Sequence, residues 1–170
     1  MDTTRENFKM DSQEGALTYR KAVIGDIDLL AATRVEFYIG IHIELSDDEK
    51  EKFCEHNRAY FVESLADGSF FAYLAFDGDR LAATSGINFY STPPTHKNPT
   101  GMMAYISNMY TKPDYRGRGI ATRLLTMIIE EARRRGCGKI TLSATDMGRP
   151  IYKKFGFTDA DRDMNYHFSE

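Results

Sequence analysis

Asn108-Met-Tyr-Thr-Lys-Pro-Asp-Tyr-Arg-Gly-Arg-Gly-Ile-Ala-Thr-Arg123 ends an apolar, strand-like run, turns through Pro113 and opens a helix. That order suits a cradle for a diphosphate. The first turn of a helix leaves about four backbone N–H groups without intrahelical partners, and the aligned peptide dipoles place partial positive charge there. An anion is the natural occupant. Gly117 and Gly119 let a ligand approach the backbone, and Arg116, Arg118 and Arg123 add full charges. A dinucleotide-binding fingerprint fits poorly, because its third glycine would fall at Thr122 and no acidic residue stands about twenty positions on.

Arg116-x-x-Gly119-x-Ala121 resembles the Arg/Gln-x-x-Gly-x-Gly/Ala signature of the GNAT superfamily of acyl-CoA-dependent N-acetyltransferases. Pro150-Ile-Tyr-Lys-Lys-Phe-Gly-Phe157 resembles the Leu-Tyr-x-x-x-Gly-Phe segment that follows later in such chains, in the same order and at about the same spacing. The resemblance runs from Ala104 to Phe157. It implies a single-domain α/β acyl-CoA N-acyltransferase fold, a mixed, mainly antiparallel sheet flanked by helices on both faces. It further implies acetyl-CoA as co-substrate, held by Arg116, Gly117, Arg118, Gly119, Ile120, Ala121 and Thr122. The pantetheine arm would pair with a bulged strand end at Met109, Tyr110 and Thr111. Tyr152 matches the tyrosine that serves the family as general acid toward the CoA sulfur. One departure stands out: Thr145 and Gly148 occupy positions where many relatives carry asparagine and alanine, so the asparagine's pantetheine contact would fall to Ser143, Thr145 or Asp146.

The whole chain agrees with one soluble domain. Its 170 residues fall in the usual single-domain range of ~100–200. A formal charge of -3 argues against nucleic acid as a partner. Cys54 and Cys137 are far apart and form no C-x-x-C pair, and His42, His56, His96 and His167 lack ligand spacing, so no metal is expected. Residues 1–15 read as a polar tail and 16–170 as the domain. With no apolar run of ~20 residues, no membrane span is expected, and the reading is cytoplasmic.

Periodicity places strands at 16–22, 70–76, 80–90, 102–112, 139–143 and 162–168. Helices are expected at 27–41, 46–66, 117–135 and 148–155. Ser46-Asp-Asp-Glu49 reads as a capping box, and Asp77-Gly-Asp-Arg80 as a hairpin turn. Arg133, Arg134 and Arg135 read as a helix terminus. The proline-rich stretch Ser91–Gly101 is a loop long enough to act as a lid over a site.

Acetyl transfer to an amine needs the amine neutral. A lysine-like amine with a pKa of ~10.4 costs about 4–5 kcal/mol to deprotonate at pH 7, so a base is expected. Glu36, Asp146, or a water held by Ser107 or Asn108 are the candidates, and the family fixes none of them. The acceptor, an amine-bearing small molecule or peptide, would lie between the first two helices, the Ser91–Gly101 loop and the end of the chain. The acidic run Asp47–Glu51 either attracts a cationic amine or is a solvated helix face. A non-catalytic acyl-CoA-binding regulatory domain would use the same cradle, and a homodimer, common in the family, stays open.

Overall fold

The computed structural model describes residues 17–160 together with Met164, Tyr166 and Phe168. The chain runs β1 (Thr18–Lys21), α1 (Ile27–Gly40), α2 (Asp47–Asp67), β2 (Phe70–Asp77), β3 (Arg80–Ser91), β4 (Met102–Thr111), α3 (Ile120–Arg134), β5 (Lys139–Leu142) and α4 (Arg149–Lys154). Among the described residues the strands form one sheet in sequence order, antiparallel except where β5 joins β4 in parallel after the α3 crossover.

β2 reads Phe-Phe-Ala-Tyr-Leu-Ala-Phe without polar alternation because both of its faces are covered. Phe70, Ala72 and Leu74 meet Leu30 of α1 and Phe61 of α2 on one side. On the other side, Phe71 joins Ile87, Ala104 and Ile106 against Leu125, Ile128 and Ala132 of α3 and Tyr152 of α4. α3 is the clearest amphipathic helix: Ile120, Leu124, Leu125 and Ile128 are all buried on one stripe. Each such burial contributes roughly 1.5–3 kcal/mol.

The capping box forms as expected. Glu49 N–H donates to Ser46 Oγ at 3.3 Å, and Ser46 N–H donates to the Glu49 carboxylate at 2.7 Å. Lys50 pairs with Asp47 and Lys52 with Asp48, so the acidic run is a solvated helix face. The arginines ending α3 do more than face a dipole: Glu131, 5% exposed, accepts from Arg134 and Arg135, and Arg135 also donates to the carbonyl of Gly68 that ends α2. At the start of the sheet, Arg20 holds buried Asp26 with two 2.7 Å hydrogen bonds, and Val23 N–H adds a third.

Two expectations shift. α3 starts at Ile120 rather than residue 117, because Gly117 (φ 77°) and Gly119 (φ 75°) are left-handed and stand outside the helix. The Ser91–Gly101 loop connects β3 to the first residue of β4, whereas the cradle follows that strand's last residue. Thr92 N–H donates to the Gly101 carbonyl, and Asn98 donates to Met102 O. The loop is therefore a tied-down hairpin end at the opposite end of β4, and it does not cover the cradle. The expected closing strand at 162–168 and the tail at 1–15 lie largely or wholly outside the described residues.

Candidate active site

A cleft of about 360 Å³ opens where β4 and β5 part. Their ladder ends at Ile106 opposite Leu142, so Met109, Tyr110 and Thr111 keep their β3 partners but lack β5. A bulge marks the parting: Gly86 pairs with Asn108 and Ile87 with Ile106, which leaves Ser107 as the extra residue of β4. Ser107 and Asn108 consequently both turn toward α1 and α2, bonding Asn88 and Thr84 respectively.

The cradle forms the next wall. The first intrahelical bond of α3 joins Arg123 N–H to Gly119 O, so the amides of Ile120, Ala121 and Thr122 have no intrahelical partner. A Cβ at Gly117 or Gly119 would meet nothing within 4 Å. The glycines are required by backbone conformation, and the space above them is open. Arg116 Nε donates to Thr111 O at 3.1 Å, bracing the strand end, while Arg118 stacks on the ring of Tyr115. Of the expected cradle residues, Arg116, Gly117, Gly119, Ile120, Ala121 and Thr122 line the cleft together with Met109, Tyr110 and Thr111. Arg118 lies at its edge, in a depression shared with Asp77 and Arg80.

Phe37 and Gly40 of α1 and the following Ile41 close one side of the cleft, and Thr145, Met147, Gly148 and Ile151 close the other. Thr145 Oγ1 accepts from Gly148 N–H at 3.1 Å and so closes the turn that leads into α4. A Cβ on Gly148 would sit 3.3 Å from the Tyr152 ring, so the departure from alanine goes with close packing of that ring. Tyr152 is 8% exposed, packs edge-on against Phe157, and has its phenol pushed up to about 12 by burial, with Tyr105 nearby adding to the effect. It faces the groove under β5, one residue along from the cleft-lining Ile151.

Neither candidate carboxylate lines the cleft, and the two sit differently. Glu36 pairs with Lys112 at 3.2 Å. It neighbours buried Tyr110, whose phenol is raised chiefly by burial and then by Glu36. Asp146 is exposed in the turn before α4 and lines neither this cleft nor the groove beneath β5. Arg34, which the sequence reading passed over, donates to the carbonyl of bulged Ser107 at 2.6 Å. A basic residue one turn before Phe37, on a helix with little charge on its inner side, was the available signal. Among the described residues, no group of three His, Cys, Asp or Glu could hold a metal, and no helix is long and apolar enough to cross a membrane.

Comparison with known proteins places this geometry. A predicted acetyltransferase from Clostridium acetobutylicum, solved with acetyl-CoA, is 39% identical and superposes with a TM-score of 0.81 over 89% of this chain and 96% of that one. Thialysine N-epsilon-acetyltransferase of Sus scrofa is 31% identical over 71 residues, 40% of this chain and 42% of that protein. Glucosamine 6-phosphate N-acetyltransferase of Trypanosoma brucei brucei is 32% identical over 62 residues, 36% of this chain and 42% of that protein. The matched stretch thus spans about two fifths of these curated relatives' length. The Acetyltransferase (GNAT) family model matches residues 34–157, from Arg34 through the cradle to Phe157, and the chain belongs to that family.

Proposed function

We propose that the protein transfers an acetyl group from acetyl-CoA to a primary amine of a small molecule or peptide by direct attack. The observation that carries this reading is the continuity of one cleft. A strand end free on its β5 side runs into an open cradle lined by left-handed glycines and unpaired helix amides. Such a surface matches a long ligand with an amide-bearing arm and a diphosphate. Two of the relatives named above are N-acetyltransferases, of thialysine and of glucosamine 6-phosphate, which supports the acceptor class.

When bound, acetyl-CoA supplies the thioester: the amine nitrogen bonds to the acetyl carbon, the C–S bond breaks, and one proton goes to solvent for each protonated amine acetylated. The residues of the chain divide the remaining work. The amides of Ile120, Ala121 and Thr122 hold the diphosphate. The free edge of Met109–Thr111 aligns the arm. Tyr152, with a phenol near 12, keeps its proton throughout the neutral range and donates a hydrogen bond to the sulfur as charge develops there. Glu36, adjoining the α1 wall, is the better-placed carboxylate to accept the amine's proton. Asp146, in an exposed turn, is the weaker one.

The test is a panel of polyamines, aminoglycosides, amino acids and peptides incubated with acetyl-CoA and the purified protein. Acceptor-dependent thiol release with one acetyl added to the acceptor is the expected result. Acetyl-CoA binding with no transfer to any acceptor would replace this reading with a binding domain.

A further inference from the structure

Beside the cleft, a second pocket of about 240 Å³ lies between α1, α2, β3 and β4. It is walled by Arg34, Asn57, Tyr60, Asn88, Ser107 and Asn108, and it adjoins the acetyl-CoA cleft along two elements. On α1, Arg34 precedes cleft-lining Phe37 by one turn. On β4, Ser107 and Asn108 lead directly into Met109–Thr111.

Most of the pocket's polar groups are already engaged. Ser107 Oγ donates to Asn88 Oδ1 at 2.6 Å, Asn88 Nδ2 donates to the Tyr60 hydroxyl, and Asn57 Nδ2 donates to Phe53 O at 2.7 Å. Two groups are not. Asn108 is 2% exposed and donates through Nδ2 to Thr84, but its buried Oδ1 has no hydrogen-bond partner among the described residues. An amide oxygen in that position accepts and cannot donate, so it calls for an N–H. Among the described residues, Arg34 is the one charged residue lining the pocket, and no carboxylate pairs with it. Its guanidinium is held by Ser107 O and lies over the Tyr38 ring, so it is positioned while most of its five donors stay available.

A donor-seeking oxygen and a fixed cation on residues lining one pocket suit a zwitterion. We propose that the acceptor is a small amine carrying a carboxylate close to its nitrogen. The carboxylate sits on Arg34, and an N–H of the amine is donated to Asn108 Oδ1. The inference rests on the acetyltransferase reading and narrows it. A polyamine would place cations against Arg34, and the acidic run of α2 that would otherwise attract one is occupied by capping and by Lys50 and Lys52.

The test uses matched acceptors: the common amino acids, their carboxamides, the corresponding decarboxylated amines, and spermidine, each with acetyl-CoA. The carboxamide is the less basic amine, with more free base at neutral pH, so a preference for the acid would arise against intrinsic reactivity. The expected result is kcat/KM higher for at least one amino acid than for its carboxamide by about 10- to 100-fold, the range of a charge-assisted hydrogen-bonded pair. Arg34→Met should abolish that ratio with acetyl-CoA affinity unchanged, and Arg34→Lys should restore part of it. If Arg34 only braced the bulge, Arg34→Met would slow acids and amides equally, which overturns the proposal. Turnover confined to spermidine and simple amines would overturn it while leaving the acetyltransferase reading intact. No turnover of any acceptor would remove both.

Discussion

Replacing Thr122 with glutamate should strengthen the fold and weaken acetyl-CoA binding together. Thr122 is the third residue of α3, counted from its left-handed N-cap Gly119, and it lines the cleft. A carboxylate in the first turn is favourable by about 0.3–1 kcal/mol through the helix dipole. In a domain of this size that raises Tm by about 1–4 °C. The same charge opposes a diphosphate carrying about two negative charges. At ~6 Å and an effective dielectric of about 20–40, the repulsion is roughly 2.8–5.5 kcal/mol. Screening over a Debye length of ~8 Å at physiological salt reduces it to about 1.3–2.6 kcal/mol. Kd for acetyl-CoA should rise about 10- to 70-fold, and less in high salt. Thr122→Gln has nearly the same size without the charge and should bind close to the parent. Calorimetric titration and thermal melts on the three proteins give both numbers. A glutamate variant that is folded and binds like the parent would refute an anion site here, and equal losses in both variants would refute the electrostatic reasoning.

Tyr152→Phe should lower kcat by at least tenfold with acetyl-CoA affinity retained, and the parent's kcat should show no loss from this phenol below about pH 11, given its upward shift by burial to about 12; unchanged turnover by the variant would dismiss the assignment. Glu36→Gln should cost about 100-fold or more at pH 7 and much less near pH 10, where a lysine-like acceptor amine is already substantially neutral; an equal loss at both values would mean that Glu36 is not the base. Gly86→Ala would bring a methyl within 2.8 Å of the Phe70 ring and 3.1 Å of Asn108 Cβ, so it should destabilise by about 1–3 kcal/mol in denaturant titration and impair acceptor binding through Asn108. Asp26, held below its ordinary value of 3.8 chiefly by the Arg20 hydrogen bonds, contributes stability that is present above that value and lost as pH falls through the lower folded pKa. Asp26→Asn should therefore lower Tm at pH 7 and flatten the acid limb of the stability profile; an unaltered limb would contradict this.

The parts of the site legible from sequence were those written in local chemistry. Arg116-Gly-Arg-Gly119 announces a glycine-flanked helix entry because the glycines and the helix start are adjacent in the chain. The structure then showed that both glycines are demanded by positive φ, which spacing alone does not reveal. The capping box at Ser46 and the turn at Gly78 were readable for the same reason. What could not be read depends on distant partners. The extra residue at Ser107 exists only relative to β3, and Arg34 meets Ser107 across 73 positions. The Ser91–Gly101 loop had the composition of a lid, but its location follows from the direction of β4, and that direction sets it at the opposite end from the cradle.

The most direct test of the account is a crystal structure of the protein with acetyl-CoA. The account predicts diphosphate oxygens within hydrogen-bonding distance of the amides from Ile120 to Thr122, the pantetheine along the free edge of Met109–Thr111, and the thioester sulfur reached by Tyr152. Acetyl-CoA seated elsewhere, or held with its diphosphate away from those amides, would contradict it.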